Sequence, residues 1–327
     1  MIDDRVVMTK TPLRISFVGG GTDMPYFYNK YGGATISCAI NRYIYVTVKH
    51  HNNYQEKYRL NYSQTENVSK LTDIKNLRIK KVIEMLKISK PLYINTFADI
   101  PANSGLGSSS SFTVGLIKAL AKLKKINLKN YQIAEMAYKI ESSITKNSLG
   151  KQDHYIAAYG GLKHINYKKD KINVSNVNLT KKNTNKLFNS LLLIWTGKNR
   201  LASSVLEDQK KNLNKNNDNL ILLNKLSKKF KNEIIKNKIN LKKLGYIVNE
   251  SWELKKSFSK LITNNDIEKI FKKTVEKGMY GGKLLGAGNG GFVLIFIGTR
   301  EKKNIIKYLK NYRYLDIKLE NNGSLIL

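Results

Sequence analysis

Cysteine is almost missing from this chain: Cys38 is the single one in 327 residues. That excludes an internal disulfide and any metal cluster built on thiolates. Histidine is scarce too, and His50, His51, His154 and His164 lack the spacing of a zinc site. Acid is outnumbered, with 24 Asp and Glu against 58 Lys and Arg, for a formal charge of +34. No apolar run reaches the length of a membrane span, and Asp3 and Asp4 stand where a secretory signal would carry positive charge. The expectation is a cytoplasmic protein with no membrane partner.

A charge of this size could suit a nucleic-acid binder, the rival reading from a different functional class. The lysines, however, are spread along the chain and mixed with many asparagines. Basic stretches such as residues 228–238 are interrupted by apolar residues at helical spacing, as on a solvated helix face. No helix-turn-helix, zinc-finger or RNA-recognition signature is present. Nucleic acid is therefore not the expected partner, and the charge serves equally to hold anionic metabolites.

A chain of 327 residues can bury a substantial core and form two domains. Strand-like runs cover residues 13–18, 35–39 and 43–49, with Gly19-Gly20-Gly21 after the first and Asn41-Arg42 predicted as a tight turn before the third. A polar helix is expected within 67–86, a strand over 92–98 and a helix over 112–123. Ile133, Met136, Ala137, Ile140 and Ile144 recur at three- and four-residue steps and predict a helix over 131–144. Gly160-Gly161 closes a short helix before a strand at 162–167. The polar stretch 168–186 holds the candidate boundary, giving domains of 1–182 and 183–327. Beyond it, strands are expected at 191–195 and 292–297, with helices across 203–262 and 266–277. Elements that mix without regular alternation favour two α+β domains over a doubly wound sheet.

Two glycine-rich runs invite chemistry. Gly105-Leu-Gly-Ser-Ser-Ser-Ser111 lies between a predicted strand and a predicted helix, where bare backbone, serine donors and a helix start make an anion cradle. Taken alone, a plain Gly/Ser-rich surface turn is the favoured explanation. It is not a Walker A loop, because Lys151, Lys198 and Lys283, each preceded by glycine, lack the Ser or Thr that should follow. Gly286-Ala-Gly-Asn-Gly-Gly291 matches GxGxxG, but a helix is expected before it and a strand after it. A dinucleotide fold needs the reverse order.

Three segments together resemble the motifs of the GHMP small-molecule kinases, the family of galactokinase, homoserine kinase, mevalonate kinase and phosphomevalonate kinase. They are Thr11-Pro-Leu-Arg-Ile-Ser-Phe-Val-Gly-Gly-Gly-Thr-Asp23, Pro101-Ala-Asn-Ser-Gly-Leu-Gly-Ser-Ser-Ser-Ser111 and Lys283-Leu-Leu-Gly-Ala-Gly-Asn-Gly-Gly291. They occur in family order and span nearly the whole chain. The first motif and the segment from Gly150 to Gly161 look most like those members that phosphorylate a heptose 7-phosphate at its anomeric hydroxyl.

The resemblance implies an α+β, two-domain enzyme, with an N-terminal ribosomal-protein-like βαβ domain, a C-terminal ferredoxin-like domain and the active site between them. ATP would be bound by Pro101, Asn103, Ser104, Gly105, Leu106, Gly107, Ser108 and Ser109, with its phosphates on the loop from Ser104 to Ser109. Mg2+ would be held by Ser109 and Glu141, and Asp153 would be the catalytic carboxylate beside Arg14. Gly20, Gly21, Thr22 and Asp23 would bind the sugar, with Gly288 of the third motif nearby. A phosphate on the substrate needs another cation, for which Arg200, Lys198, Lys283 and Arg42 are candidates. Arg200 is preferred because Thr196-Gly-Lys-Asn-Arg200 follows a buried strand. The product would be a bisphosphate leading to a nucleotide-activated heptose for surface polysaccharide. Fucose- or galactose-type substrates are the alternative, and a homodimer stays open.

Each role has a physical reason and a bland counterpart. Magnesium favours hard oxygen ligands and keeps several waters, so a hydroxyl, a carboxylate and ATP oxygens suffice. Glu141 could otherwise be a rim carboxylate. Asp153 could be an ordinary carboxylate at a helix start, and Asp23 a turn residue. Ser108, Ser110 and Ser111 could be helix caps. Two departures from the family pattern are mild: Ser110 and Ser111 stand where alanine is usual, and Asn289 sits between glycines.

Overall fold

The structure, a computed structural model, describes residues 5–51, 57–145, 149–198, 208 and 217–327. Two antiparallel-rich sheets, each backed by helices, share one apolar core. The first sheet is built on β1 (Val7–Val18) and β2 (Gly33–His50), paired antiparallel along almost their full lengths. It continues through β5 (Leu92–Ala98), β3 (Tyr58–Asn61) and β4 (Thr65–Val68), while β6 (Leu162–Lys168) and β7 (Lys171–Asn176) form a hairpin on the other half of β2.

Asn41 and Arg42 do not make the expected tight turn. β2 runs through them, with Ile40 opposite Leu13 and Tyr43 opposite Pro12, so both residues are extra in the ladder. Pro12 has no N–H to donate at that point, and a bulge is the natural relief. The bulge also divides the strand between neighbours: residues before it pair with β6, residues after it with β5.

Helices α3 (Ser108–Leu123) and α5 (Gln152–Tyr159) pack on this sheet, and α4 (Asn130–Ile144) packs on both of them. In α3 the run from Val114 to Leu123 is buried on nearly every side. Gly115 lets that helix sit close to β1, since a Cβ there would come within 2.6 Å of Thr11 Oγ1. The shorter helices α1 (Pro25–Tyr31) and α2 (Leu77–Met85) complete this half.

The second sheet has the order β11 (Tyr314–Leu315), β8 (Leu191–Trp195), β10 (Phe292–Ile297), β9 (Met279–Leu284), all antiparallel. With it go α6 (Lys181–Asn189), α7 (Asn217–Ile234), α8 (Leu241–Lys256), α9 (Asn265–Val275) and α10 (Thr299–Tyr308). The α+β class expected from the sequence is what the chain adopts.

One further sequence expectation fails here. A strand, β9, precedes the second glycine cluster where a helix was expected. Gly281 and Gly282 hide its alternation, and Gly281 is bare because a Cβ would strike the Gly245 carbonyl oxygen at 2.0 Å. The cluster is thus the loop of a β-hairpin, and a dinucleotide fold stays excluded because β10 follows it. The polar stretch 168–186, which holds the candidate boundary, carries regular structure. It forms β7, and it begins α6, where the Thr180 hydroxyl caps the Asn183 amide.

The division into 1–182 and 183–327 stays a proposal, and the last residues cut across it. Glu320 N–H donates to Ala39 O, Gly161 N–H to Glu320 O, and β12 (Leu325–Ile326) pairs with β1. Among the described residues, no helix is long and apolar enough to cross a membrane.

The two halves meet at Phe17, fully buried on β1. Its ring stacks on Phe230 of α7 at 5.3 Å and meets the edge of Phe296 of β10 at 5.9 Å. Removing so large a side chain from a packed junction costs about 3–5 kcal/mol. Phe17→Ala should lower the urea midpoint accordingly, and a shift worth less than about 1 kcal/mol would show that the halves do not depend on this contact.

Candidate active site

The serine loop is drawn up against β1 by Arg14. The Arg14 amide donates to Leu106 O at 3.0 Å, and its guanidinium Nη1 donates to Gly105 O at 2.6 Å. The other side of the guanidinium grips Asp153 with two bonds, Nε to Oδ1 at 2.7 Å and Nη2 to Oδ2 at 2.5 Å. Gly107 must be bare for this, because a Cβ would lie 3.1 Å from Arg14 Cγ and its φ is +76. The same left-handed residue is the N-cap of α3, which starts with no side-chain cap. Its first amides therefore keep their hydrogens for an external acceptor, and the helix dipole favours an anion there.

The serines after Gly107 divide by direction. Ser108 and Ser109 line the cleft. Ser110 and Ser111 turn inward, donating to Glu141 Oε2 at 2.9 Å and to Pro12 O at 2.7 Å, so neither is a cap.

Asp23 ties the first glycine motif to the start of α5. Its Oδ1 accepts from Gly21 N–H at 2.9 Å and its Oδ2 from Gln152 N–H at 3.0 Å. Gly150 passes so close that a Cβ would be 2.1 Å from Oδ2. Burial pushes the Asp23 carboxyl up, the Gln152 amide pulls it back, and the charge of Asp153 adds to the rise. Asp153 follows two residues into α5 from its N-cap, Lys151, and faces the cleft.

Of the residues expected at the site, Arg14, Gly20, Gly21, Asp23, Asn103, Gly105, Gly107, Ser108, Ser109, Asp153 and Lys283 share one cleft. Others do not face it. Thr22 is fully buried, and its hydroxyl bridges Gly19 O at 2.8 Å and Ala34 O at 3.0 Å, so it staples the turn and does not line a sugar pocket. Ser104 and Leu106 are buried behind the loop and Pro101 is exposed beside it. Gly288 packs on Ile262, whose Cα a Cβ would meet at 2.6 Å, while its neighbours Gly286 and Ala287 line the cleft.

The four candidate cations separate clearly. Arg200 lies outside the described residues. Lys198 is exposed and paired with Asp266 at 2.8 Å. Arg42 donates to Asn41 O and Asp316 O in a different groove. Lys283 lines the cleft and is buried, with Nζ 3.3 Å from Phe17 O. Burial, aided by the charge of Arg14, pulls its pKa down to about 8.

Sequence reading missed Ser16, Met24, Gln152, Lys255 and Phe258 of the lining. Gln152 stood in a quoted motif without a role. Lys255, which donates to Gly286 O, is one lysine among many in its helix and carried no separate signal.

Behind Ser109 lies Glu141, buried and accepting several donors. Oε1 accepts from Arg78 Nε at 2.7 Å and Thr113 Oγ1 at 2.9 Å. Oε2 accepts from Ser110 and, at 3.0 Å, from His154 Nε2. The Ser109 hydroxyl stands 3.4 Å from Oε2. A carboxylate only accepts, so His154 carries its proton on Nε2, and its buried Nδ1 has no partner. Burial alone would raise the Glu141 pKa, but the bonds from His154 and Arg78 outweigh it and hold it near about 2. Hydroxyl and ionised carboxylate are the oxygen chemistry magnesium takes, and Ser109 reaches the cleft. Direct ligation by Glu141 would require a present donor to give way.

Glu141 therefore stabilises the fold in a pH-dependent way. Its depressed pKa contributes on the order of 3 kcal/mol above its unfolded-state pKa, lost as pH falls from about 4.5 towards 2. In acid unfolding monitored by circular dichroism, Glu141→Gln should be the less stable protein at pH 7. The gap between the two proteins should narrow through that window, and a constant gap would contradict it.

The residues from 77 to 161 match the GHMP kinases N terminal domain. A D-glycero-alpha-D-manno-heptose 7-phosphate kinase of Campylobacter jejuni is 30% identical over 94% of this chain and 94% of its own. By fold, the chain superposes on a D-glycero-D-manno-heptose 1-phosphate kinase from Bacteroides thetaiotaomicron with TM-score 0.79 and 24% identity, covering 98% of each chain. It superposes on a Lactococcus lactis galactokinase with TM-score 0.77 and 18% identity, covering 99% of this chain and 95% of the other. The match of sequence over nearly the full length, with a glycine loop clasped by an Arg–Asp pair beside an uncapped helix start, places the chain in the GHMP family of ATP-dependent small-molecule kinases.

Proposed function

We propose that this ATP-dependent sugar kinase phosphorylates the anomeric hydroxyl of a sugar that already carries a phosphate, and that D-glycero-D-manno-heptose 7-phosphate is that sugar. The observation that carries the reading is the doubly bonded Arg14–Asp153 pair at the mouth of the serine loop. The Campylobacter relative supports the choice of sugar.

ATP lays its phosphates along Gly105 to Ser109 and the free amides of α3, where the helix start favours them. Ser109 and Glu141 would hold magnesium, which supplies positive charge to the phosphate oxygens. Asp23 and the bare backbone at Gly20 and Gly21 receive the sugar. Asp153 takes the proton of the attacking hydroxyl as the new O–P bond forms and the bond to the ADP oxygen breaks. Arg14 fixes that carboxylate in place and offsets negative charge on the group in transfer. Lys283 supplies the cation for the phosphate the sugar brings, being the one of the four candidates that the described cleft contains. The bisphosphate product would enter nucleotide-heptose synthesis.

The test is ATP consumption against heptose 7-phosphate, free heptose, fucose, galactose and mevalonate. Turnover should be highest on heptose 7-phosphate, and no turnover on any phosphorylated sugar overturns the assignment. Asp153→Asn should lose about 10²–10⁴ in kcat with nucleotide binding by calorimetry retained, and near-wild-type kcat would remove Asp153 from the chemistry. Lys283 gives a separate pH signature. Its positive charge is present below its pKa of about 8 and lost above it, so kcat/KM for the phosphorylated sugar should fall as pH rises through that value. Lys283→Arg, charged throughout, should flatten that limb. An unchanged limb would assign the titration elsewhere.

A further inference from the structure

Gln152 links the two acidic residues of the cleft through its backbone. Its backbone amide is held by Asp23 and the next residue is Asp153. Its side chain reaches back under the sugar pocket, where Oε1 accepts from the Ser16 hydroxyl of β1 at 2.9 Å and the Ser37 hydroxyl of β2 at 2.9 Å. Two donors from adjacent strands thus fix the oxygen end of the amide inward and turn Nε2 outward. The observed orientation leaves the positive end of the amide dipole on the cleft side. Gly20 keeps the path open. A Cβ at that position would approach Nε2 to 3.4 Å, and Gly20 itself lines the cleft.

We propose that Gln152 determines specificity by donating from Nε2 to the oxygen of a sugar hydroxyl next to the one that attacks. The proposal rests on reading the cleft as a sugar-phosphate site. Carboxylates only accept, so Asp23 and Asp153 can bind a sugar hydroxyl through its proton but leave its oxygen lone pairs unserved. An amide donor held in the same cleft serves those lone pairs. A hydroxyl bound from both ends is one whose absence is costly, because a site built to hydrogen-bond it leaves its own polar groups unpaired when it is missing. Ser16 and Ser37 act through Gln152 as positioning residues.

The experiment compares kcat/KM of wild type, Gln152→Leu, the isosteric Gln152→Glu and Ser37→Ala on heptose 7-phosphate and its monodeoxy analogues at the ring hydroxyls. Wild type should lose about 10–100-fold on one analogue relative to the parent sugar. Gln152→Leu and Gln152→Glu should lose a similar factor on the parent, and little further on that analogue. Ser37→Ala should show part of the same effect, and KM for ATP should not change in any variant. Gln152→Glu keeps the acceptor for both serines, so it carries the test if Gln152→Leu does not fold. Equal losses on every analogue, or wild-type discrimination retained in both Gln152 variants, would overturn the role of Gln152 while the kinase reading stands. Wild-type inactivity on all phosphorylated sugars would overturn both.

Discussion

The guanidinium of Arg14 is the joint on which the site turns. It is a buried cation, with side-chain exposure of 5%, and it cannot lose its proton to relieve the cost of burial. It has to be met by acceptors, and those it finds are the carbonyl of Gly105 and both oxygens of Asp153. Three separate pieces of chain are therefore held in mutual register by one side chain: the first strand, the serine loop and the helix bearing Asp153. The bidentate geometry fixes angle as well as distance, which a lysine at this place could not do.

Around that joint the glycines make contact possible. Gly107 accommodates Arg14, Gly150 accommodates Asp23, and Gly105 lies under the backbone of Leu285 at the hairpin between β9 and β10. The loop thus meets the second half of the molecule backbone to backbone, with Phe292 N–H donating to Ser104 O. Negative charge is distributed to match. Glu141 is surrounded by donors and ionised deep in the helical layer, Asp23 is buried and held by amides, and Asp153 alone of the three is paired with Arg14 at the cleft edge.

Much of this was legible in the sequence, and the failures have physical causes. Strands β5, β8 and β10 and helix α4 follow their hydrophobic periods closely, because each buries one consistent face or is buried throughout. Arg14, Asp23 and Asp153 were readable because they sit in short motifs. β9 was not, since glycines removed its side-chain alternation, and the bulge at Asn41 and Arg42 resembled a turn because polar residues mark both. Thr22 and Gly288 looked like pocket residues by their place in motifs, but their contacts are with backbone. Gln152 and Lys255 could not be found from composition, because what distinguishes them is the direction of one side chain.

The tail that returns to the first sheet also sets an order of events. Ser324 N–H donates to Ala157 O of α5, and Gly160 and Gly323 lie so close to the facing backbone that a Cβ at either would collide at 2.1 Å. Helix α5 is clasped by residues made more than 150 positions after it. During synthesis the N-terminal sheet and α3 can assemble early, but α5 is not clasped until the segment around Ser324 has left the ribosome. The helix that carries Asp153 is thus fastened to its clasp only after the strands of the second sheet have been synthesised.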